Sequence, residues 1–156
     1  MRKDFRKTAQ QLHARPISDG ELAALRESAA NARTGAALAV QAREREHTIV
    51  YASVGELYKK YPEKRTMYAG CEEKTLRDMK LVMRYCVYSA ALDDPDYARD
   101  RMHYWFRTIL LAFNFGREFI TDAYRIVQKR AATAIAPAEN KVLHAMVDDA
   151  IQVYNS

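Results

Sequence analysis

Apolar residues return at steps of three and four along most of this chain, which is the period of a helix face. The clearest run is Leu76, Met79, Met83, Cys86, Val87 and Ala90, which predicts an amphipathic helix over about Thr75 to Leu92, with Arg77, Asp78 and Arg84 as the charges near that face. Ahead of it, Phe5, Ala9 and Leu12 give a short stripe in a basic, polar opening, and Pro16 ends it. That stretch reads as a short arm helix, either a frayed terminus or a docking arm for a partner. Ser18 with Glu21 three residues later has the capping-box pattern and starts the next helix. Leu22, Leu25, Ala29, Ala32, Ala36 and Val40 continue a face of mostly small residues, with Gly35 inside it at some cost. Arg43-Glu44-Arg45-Glu46 reads as a solvated face of alternating charge. A second helical segment then carries Ile49, Val50, Ser53, Val54, Leu57, Tyr58 and Tyr61, and Pro62 ends it.

Residues 62–74 are polar and charged with Gly70 among them, which predicts a loop or a ragged turn of helix before the central helix. Asp93-Asp94-Pro95-Asp96 stops that helix and caps another, which runs to about Phe113. Its aromatics, Tyr97, Tyr104, Trp105 and Phe106, are expected in the core. Beyond Gly116, a helix over about 117–130 presents Phe119, Ile120, Ala123, Tyr124 and Val127. A final helix from about Ala138 presents Val142, Leu143, Met146, Val147, Ala150, Ile151 and Tyr154. Six or so unequal helices with no strand pattern and no internal repeat point to an all-α fold with globin-like crossed packing rather than an up-down bundle. The division expected is an arm over residues 1–17 and a helical body over 18–156.

Composition narrows the function classes. The 156 residues suit one domain, and 25 basic against 20 acidic side chains give a net charge of +5, which favours acidic partners weakly and is no nucleic-acid signature. Cys71 and Cys86 form neither a CxxC pair nor a zinc spacing, so a reducing, cytoplasmic setting is expected. No apolar run approaches the roughly 20 residues of a membrane span, and Met1 to Lys7 is not followed by a signal-peptide core. No phosphate loop, nucleophile elbow or convergent acid, base and nucleophile can be found, so an enzyme is the least supported class. Glu72-Glu73 and Asp93-Asp94 fall in turns, where solvated acids are ordinary. Among His13, His47, His103 and His144, His103 sits mid-helix among aromatics, so a haem ligand in a globin-like sensor stands beside a structural role. Arg77 and Asp78 are neighbours about 100 degrees apart on a helix. They are read either as two separate surface contacts or as two groups turned to a common ligand.

Thr75-Leu76-Arg77-Asp78-Met79 and the following Leu81-Val82-Met83-Arg84-Tyr85-Cys86-Val87-Tyr88 resemble the central helix of the phycobiliproteins, the allophycocyanin and phycocyanin type of subunit. Those proteins carry Cys-x-Arg-Asp there, ahead of an Arg- and Tyr-rich stretch. Arg15-Pro16-Ile17-Ser18 is similar to the family's junction between arm and body, and Leu57-Tyr58-Lys59-Lys60-Tyr61-Pro62 to its helix end before the loop. The resemblance covers nearly the whole chain. It implies a globin-like fold and subunits that form heterodimers and ring trimers in the cyanobacterial or red-algal light-harvesting antenna. It also implies a cofactor site for a phycocyanobilin-type bilin, with Arg77 on a propionate and Asp78 on the inner pyrrole N–H groups.

The departures from that pattern shape the expectation. The bilin-anchoring thiol falls at Thr75, whose hydroxyl makes no thioether. Cys71 lies one turn earlier; it reads as a loop thiol, or as a substitute anchor if the helix extends back. The segment from Pro62 to Thr75 is shorter than the family's loop, and Trp105 falls where the family commonly has Gly, so its ring could fill space a bilin needs. Gln11 stands where an arm acid of an inter-subunit salt bridge is usual, and the family it resembles is typically acidic whereas this chain is basic. The expected function is an accessory, assembly or regulatory subunit of the phycobilisome without a standard covalent bilin, at the thylakoid surface. Its partners are phycobiliprotein subunits, met as a homo- or hetero-oligomer through the arm. The alternatives are a light-harvesting or photosensory protein holding bilin noncovalently or through Cys71, and the haem sensor.

Overall fold

A computed structural model describes residues 17–156. The expected arm over residues 1–17, Gln11 included, lies outside the described residues except for Ile17. Helix α1 spans Asp19–Lys60, α2 Pro62–Arg65, α3 Cys71–Leu92 and α4 Pro95–Ala98. A single π turn, Arg99–His103, leads into α5, Tyr104–Ala112, followed by α6, Arg117–Ala132, and α7, Pro137–Asn155. No strand occurs among the described residues, as the periodicity predicts for an all-α fold.

Helix α1 starts where expected. The Ser18 backbone N–H donates to Glu21 Oε2 at 2.8 Å, and Glu21 N–H donates back to Ser18 Oγ at 3.3 Å. It then runs for 42 residues, about 60 Å, without the interruption expected near residue 46. Arginine and glutamate are good helix formers, so a charged turn does not break a helix whose next turns still bury Ile49 and Val50. The expected small-residue face is also displaced. Val40 is 62% exposed, and Ala29, Ala32 and Ala36 are exposed, while Gly35, Leu38 and Ala42 are buried.

The cause is the crossing of α1 over α3. A Cβ built on Gly35 would stand 2.3 Å from the carbonyl oxygen of Ala90 and 2.6 Å from the Cα of Ala91. Backbone meets backbone there, and only glycine fits. The helices run antiparallel: Gly35 faces Ala90, Glu46 bonds Arg84 by two contacts of 2.7 Å, and Tyr58 reaches Cys71 and Thr75. Helix α3 buries Met79, Met83, Cys86, Val87 and Ala90 as its period predicts, with Leu76 packed at the margin. Helices α6 and α7 close the core with the stripes expected of them; Val142 and Met146 are half-buried at its edge. Asp94 accepts from Asp96 N–H at 3.1 Å and caps α4, with Pro95 at the first position. The aromatics of α5 depart from expectation: Phe106 is buried, but Tyr104 and Trp105 are 55% and 57% exposed.

Two glycine substitutions separate crossing from helix propensity. Gly35→Ala is expected to lower the unfolding free energy by about 3 kcal/mol, because helix backbones and not a flexible side chain must move apart. Gly55→Ala meets no atom within 4 Å and sits exposed in the same helix, so it is expected to stabilise by about 0.5–1 kcal/mol. Urea midpoints of both variants check this, and a neutral Gly35→Ala would contradict the crossing.

Candidate functional site

The site forms where α3 begins. Gly70 takes the left-handed conformation, φ 68°, and turns the chain so that α3 starts at Cys71 rather than at Thr75. Of residues 62–74, expected as a loop or a ragged turn of helix, Pro62–Arg65 form the single turn α2, and Cys71 to Lys74 are the first turn of α3. Cys71 is 4% exposed and sits on the helix, which corrects its reading as a loop thiol. One turn on, Thr75 Oγ1 shares a 2.7 Å hydrogen bond with the Tyr58 hydroxyl, and the same hydroxyl lies 3.4 Å from Cys71 Sγ. Burial, together with the Cys71 contact, pushes the Tyr58 phenol well above its ordinary pKa, so it stays protonated and keeps a proton to donate.

Between α3 and α5 lies an open cavity of about 410 Å³. This is within the range of small-molecule sites. Its apolar wall is Leu81, Phe106, Ile109, Leu110, Phe113 and Phe115. Its polar side is Tyr68, Lys74, Thr75, Arg77 and Asp78, with Cys71 on the same lining. All four expected site residues, Cys71, Thr75, Arg77 and Asp78, are thus brought to one cavity. Tyr68 donates from its hydroxyl to the Phe113 carbonyl at 3.0 Å, and its ring packs edge-on to Phe113 with centroids 4.9 Å apart, which ties the turn before α3 to the end of α5.

Arg77 and Asp78 meet each other directly. Arg77 Nε donates to Asp78 Oδ1 at 2.8 Å, and its Nη2 lies 2.7 Å from the same oxygen. The expectation that helix neighbours cannot face one another holds for Cβ directions but not for arginine, whose long stem folds its guanidinium over the next residue. Arg77 remains 70% exposed and Asp78 23%, so the pair sits on the cavity rim with the carboxylate turned inward. Trp105 does not fill the cavity as its size suggested. It lines the mouth while 57% exposed, and Phe106 takes the buried place behind it.

Sequence reasoning singled out neither Tyr58, Tyr68, Lys74 nor the α5 wall for this site. Tyr58 has no local signal for its role; only the antiparallel register set at Gly35 brings it to Thr75. The two-aromatic end of α5, Phe113 and Phe115, was visible as a cluster but not as a cavity wall. Among the described residues, no group of His, Cys, Asp and Glu could hold a metal ion, and no helix is long and apolar enough to cross a membrane.

His103 lies away from the cavity. It is 1% exposed, its Nδ1 is 2.7 Å from the Tyr154 hydroxyl, and the two rings meet edge-on. That contact engages one ring nitrogen inside the core, and His103 is not among the residues that line the cavity. Burial pulls its pKa down from 6.5 to about 4, against a smaller raising effect of Asp149, which is itself held by Arg99 at 2.9 and 3.0 Å. A depressed imidazole pKa means that the neutral form is favoured by folding. The stability it contributes is whole above the unfolded value of 6.5 and is lost as pH falls toward about 4. His103→Gln, which cannot titrate, is expected to lose about 2–3 kcal/mol less than the parent chain between pH 7 and pH 4.5. Urea unfolding at the two pH values measures it, and equal losses would contradict the burial of a neutral imidazole.

Comparison with known proteins bears on this geometry. No curated protein matches the chain. The sequence model of the family described as Phycobilisome protein matches residues 8–153, which takes in all the described helices but the last two residues of α7. The family's fold is globin-like and helical, in keeping with the all-α architecture, and its members are light-harvesting subunits that assemble with one another. With a match over nearly its whole length, and with Arg77 and Asp78 set on a cavity beside the central helix, the chain belongs to the phycobilisome protein family.

Proposed function

We propose that this chain is an accessory subunit of the phycobilisome that works through assembly or regulation, not through a pigment bonded at the usual position and not as an enzyme. One observation carries the reading. Thr75, at the position where the resemblance places the anchoring thiol, offers a hydroxyl that is already hydrogen-bonded to Tyr58 at 2.7 Å. A hydroxyl there forms no thioether, and it gives a buried phenol its hydrogen-bond partner. Association with the acidic antenna proteins is supported by the net charge of +5. It is also supported by the N-terminal third of α1, which buries no residue before Gly35 and exposes Ala23, Ala24, Ala29, Ala30 and Ala32. The arm over residues 1–17 would dock beside that stretch, against phycobiliprotein subunits near the thylakoid surface.

A second reading has its own support. The cavity between α3 and α5 keeps aromatic walls and a charged rim. A bilin held there without a covalent bond would find Arg77 and Lys74 for its carboxylates and Asp78 for its pyrrole N–H groups. The pigment supplies the light absorption; the chain's residues would orient it and limit water around it. Attachment through Cys71 is the weaker form of this reading, because the thiol is 4% exposed and lies against the Tyr58 hydroxyl.

Co-expression with bilin synthesis tests both. The accessory reading expects no colour on a denaturing gel; a coloured band that disappears in Cys71→Ser would overturn it. Noncovalent binding expects visible absorption in the native protein that is lost on denaturation and falls at least about ten-fold in affinity in Asp78→Asn. A colourless native protein sinks the second reading. For the charge argument, binding to acidic phycobiliproteins is expected to weaken several-fold between about 0.05 and about 0.5 M salt, and salt-independent binding would contradict it.

A further inference from the structure

Helix α5 is a lightly anchored wall of the cavity. Of its nine residues only Phe106 is buried. Its backbone packs on α7 and on the π turn, and the cavity separates it from α3. Its two ends are held unequally. At the N-terminal end His103, buried, bonds Tyr154 at 2.7 Å, and the Phe106 ring meets the Tyr154 ring edge-on with centroids 5.6 Å apart. Beyond Phe106, no residue as far as Gly116 is buried. Across the cavity, this end is tied to the α3 side through Tyr68. Its hydroxyl donates to the Phe113 carbonyl at 3.0 Å, and its ring meets those of Phe113 and Phe115. Phe115 in turn stacks on Phe119 of α6, which fixes the chain past that point.

The joints on either side of α5 depart from a regular helix. Before it, the π turn Arg99–His103 leads in through the Tyr104 N–H bonded to the Arg99 carbonyl, one residue wider than an α-helical bond. After it, Asn114 takes the left-handed conformation, φ 53°, and Gly116 an extended one, with nothing within 4 Å of the place a Cβ would take. A helix between two such joints can swing as a unit, because a few residues at the ends of an element absorb a hinge motion. Phe113 is 38% exposed and Trp105 57%, and both line the cavity, so water meets aromatic surface there that an occupant would cover. A single neutral hydrogen bond shifts an equilibrium by roughly five-fold, so Tyr68 holds this wall reversibly.

We propose that α5 is a movable wall of the cavity, pivoting at its buried π-turn end and latched at its other end by Tyr68, and that its release admits ligands the resting opening excludes. The C-terminal end, from Thr108 to Phe113, travels furthest. The latch lies on the turn that leads to Cys71, whose N–H donates to the Tyr68 carbonyl at 3.1 Å. Cys71 lines the cavity and is 4% exposed, so its thiol meets a reagent from solution when the wall moves. Cys86 is fully buried and outside that lining, so it meets one only when the core opens. This role goes beyond both proposed functions and depends on neither, because it is tested on the pigment-free chain.

The probe is N-ethylmaleimide at low concentration, where the labelling rate follows the open population, with each cysteine followed by peptide mass spectrometry on the full chain. Cys71 is expected to react more slowly than free cysteine and faster than Cys86. Tyr68→Phe keeps the ring and removes the hydroxyl, and is expected to speed Cys71 labelling about five-fold, with Cys71 still ahead of Cys86. Gly116→Ala acts on the far joint, away from the turn that carries the latch. Its backbone conformation suits alanine and its Cβ would meet nothing within 4 Å, so it narrows the freedom of the released segment. It is expected to slow Cys71 labelling about three-fold. Equal rates for Cys71 and Cys86 in the parent chain would overturn the proposal, since exposure would then need general unfolding. So would a Cys71 as reactive as free cysteine, or a rate unchanged in Tyr68→Phe. Faster labelling in Tyr68→Phe with no slowing in Gly116→Ala would assign the movement to the turn before α3 and likewise overturn it.

Discussion

The close approach of α1 to α3 at Gly35 is the constraint on which the rest of this molecule depends. Because a Cβ there would lie 2.3 Å from a backbone oxygen, the contact tolerates no sliding of one helix along the other. It fixes both the rotation of α1, by turning Gly35, Leu38 and Ala42 inward, and the antiparallel register of the pair. With the register fixed, Glu46 meets Arg84, and Tyr58 arrives over the first turn of α3. The exposed ion pair adds little to stability by itself. Its position is a consequence of the crossing, whereas Tyr58 holds Thr75, which lines the cavity on which the functional reading turns.

Tyr58 explains how the central helix accommodates a threonine at residue 75. Its hydroxyl is deep enough that losing its partner would cost the desolvation of a polar group, on the order of 1–3 kcal/mol. Thr75 Oγ1 meets that need at 2.7 Å, and Cys71 Sγ is a poorer neighbour at 3.4 Å. A thiol at residue 75 would bond the phenol weakly, since sulfur is a weak acceptor. Threonine thus removes a nucleophile and strengthens the local packing in the same substitution. That coupling favours a protein in which the beginning of α3 is structural, while Arg77 and Asp78, two and three residues further on, still border an open cavity.

Much of the fold could be read from periodicity, and the failures have physical causes. The stripes of α3, α6 and α7 are rich in large apolar residues, so only one face could be buried. Along the first half of α1 the candidates are mainly alanines, which bury little area on any side; the choice of face then falls to Gly35, whose role is visible only once its partner helix is known. Tyr104 and Trp105 were expected in the core and lie outside it for another reason. The π turn at Arg99–His103 places an extra residue in one turn, with Tyr104 N–H bonded to Arg99 O, and rotates everything that follows relative to a regular helix. Sequence does not announce that turn. Among the site residues, Arg77, Asp78, Thr75 and Cys71 were singled out because one continuous stretch carries the family resemblance, whereas Tyr58, Tyr68 and the α5 wall come from other elements and depend on tertiary register.

The distribution of charge joins these observations. Many of the acids are held by cations: Glu56 by Lys129 and Arg130, Asp122 by Lys60, Asp148 by Arg125, Asp149 by Arg99. Such pairs neutralise local fields at both ends, so what an approaching molecule meets is the excess of basic groups that lies outside them. On the α5 side exposed Asp100 sits beside Arg101 and exposed Glu73 beside Lys74, so the exposed aromatic side chains there stand among charges of both signs. An exposed tryptophan beside arginine and lysine costs solubility and gives the isolated chain no packing in return. Such a side chain gains packing only where a second surface covers it.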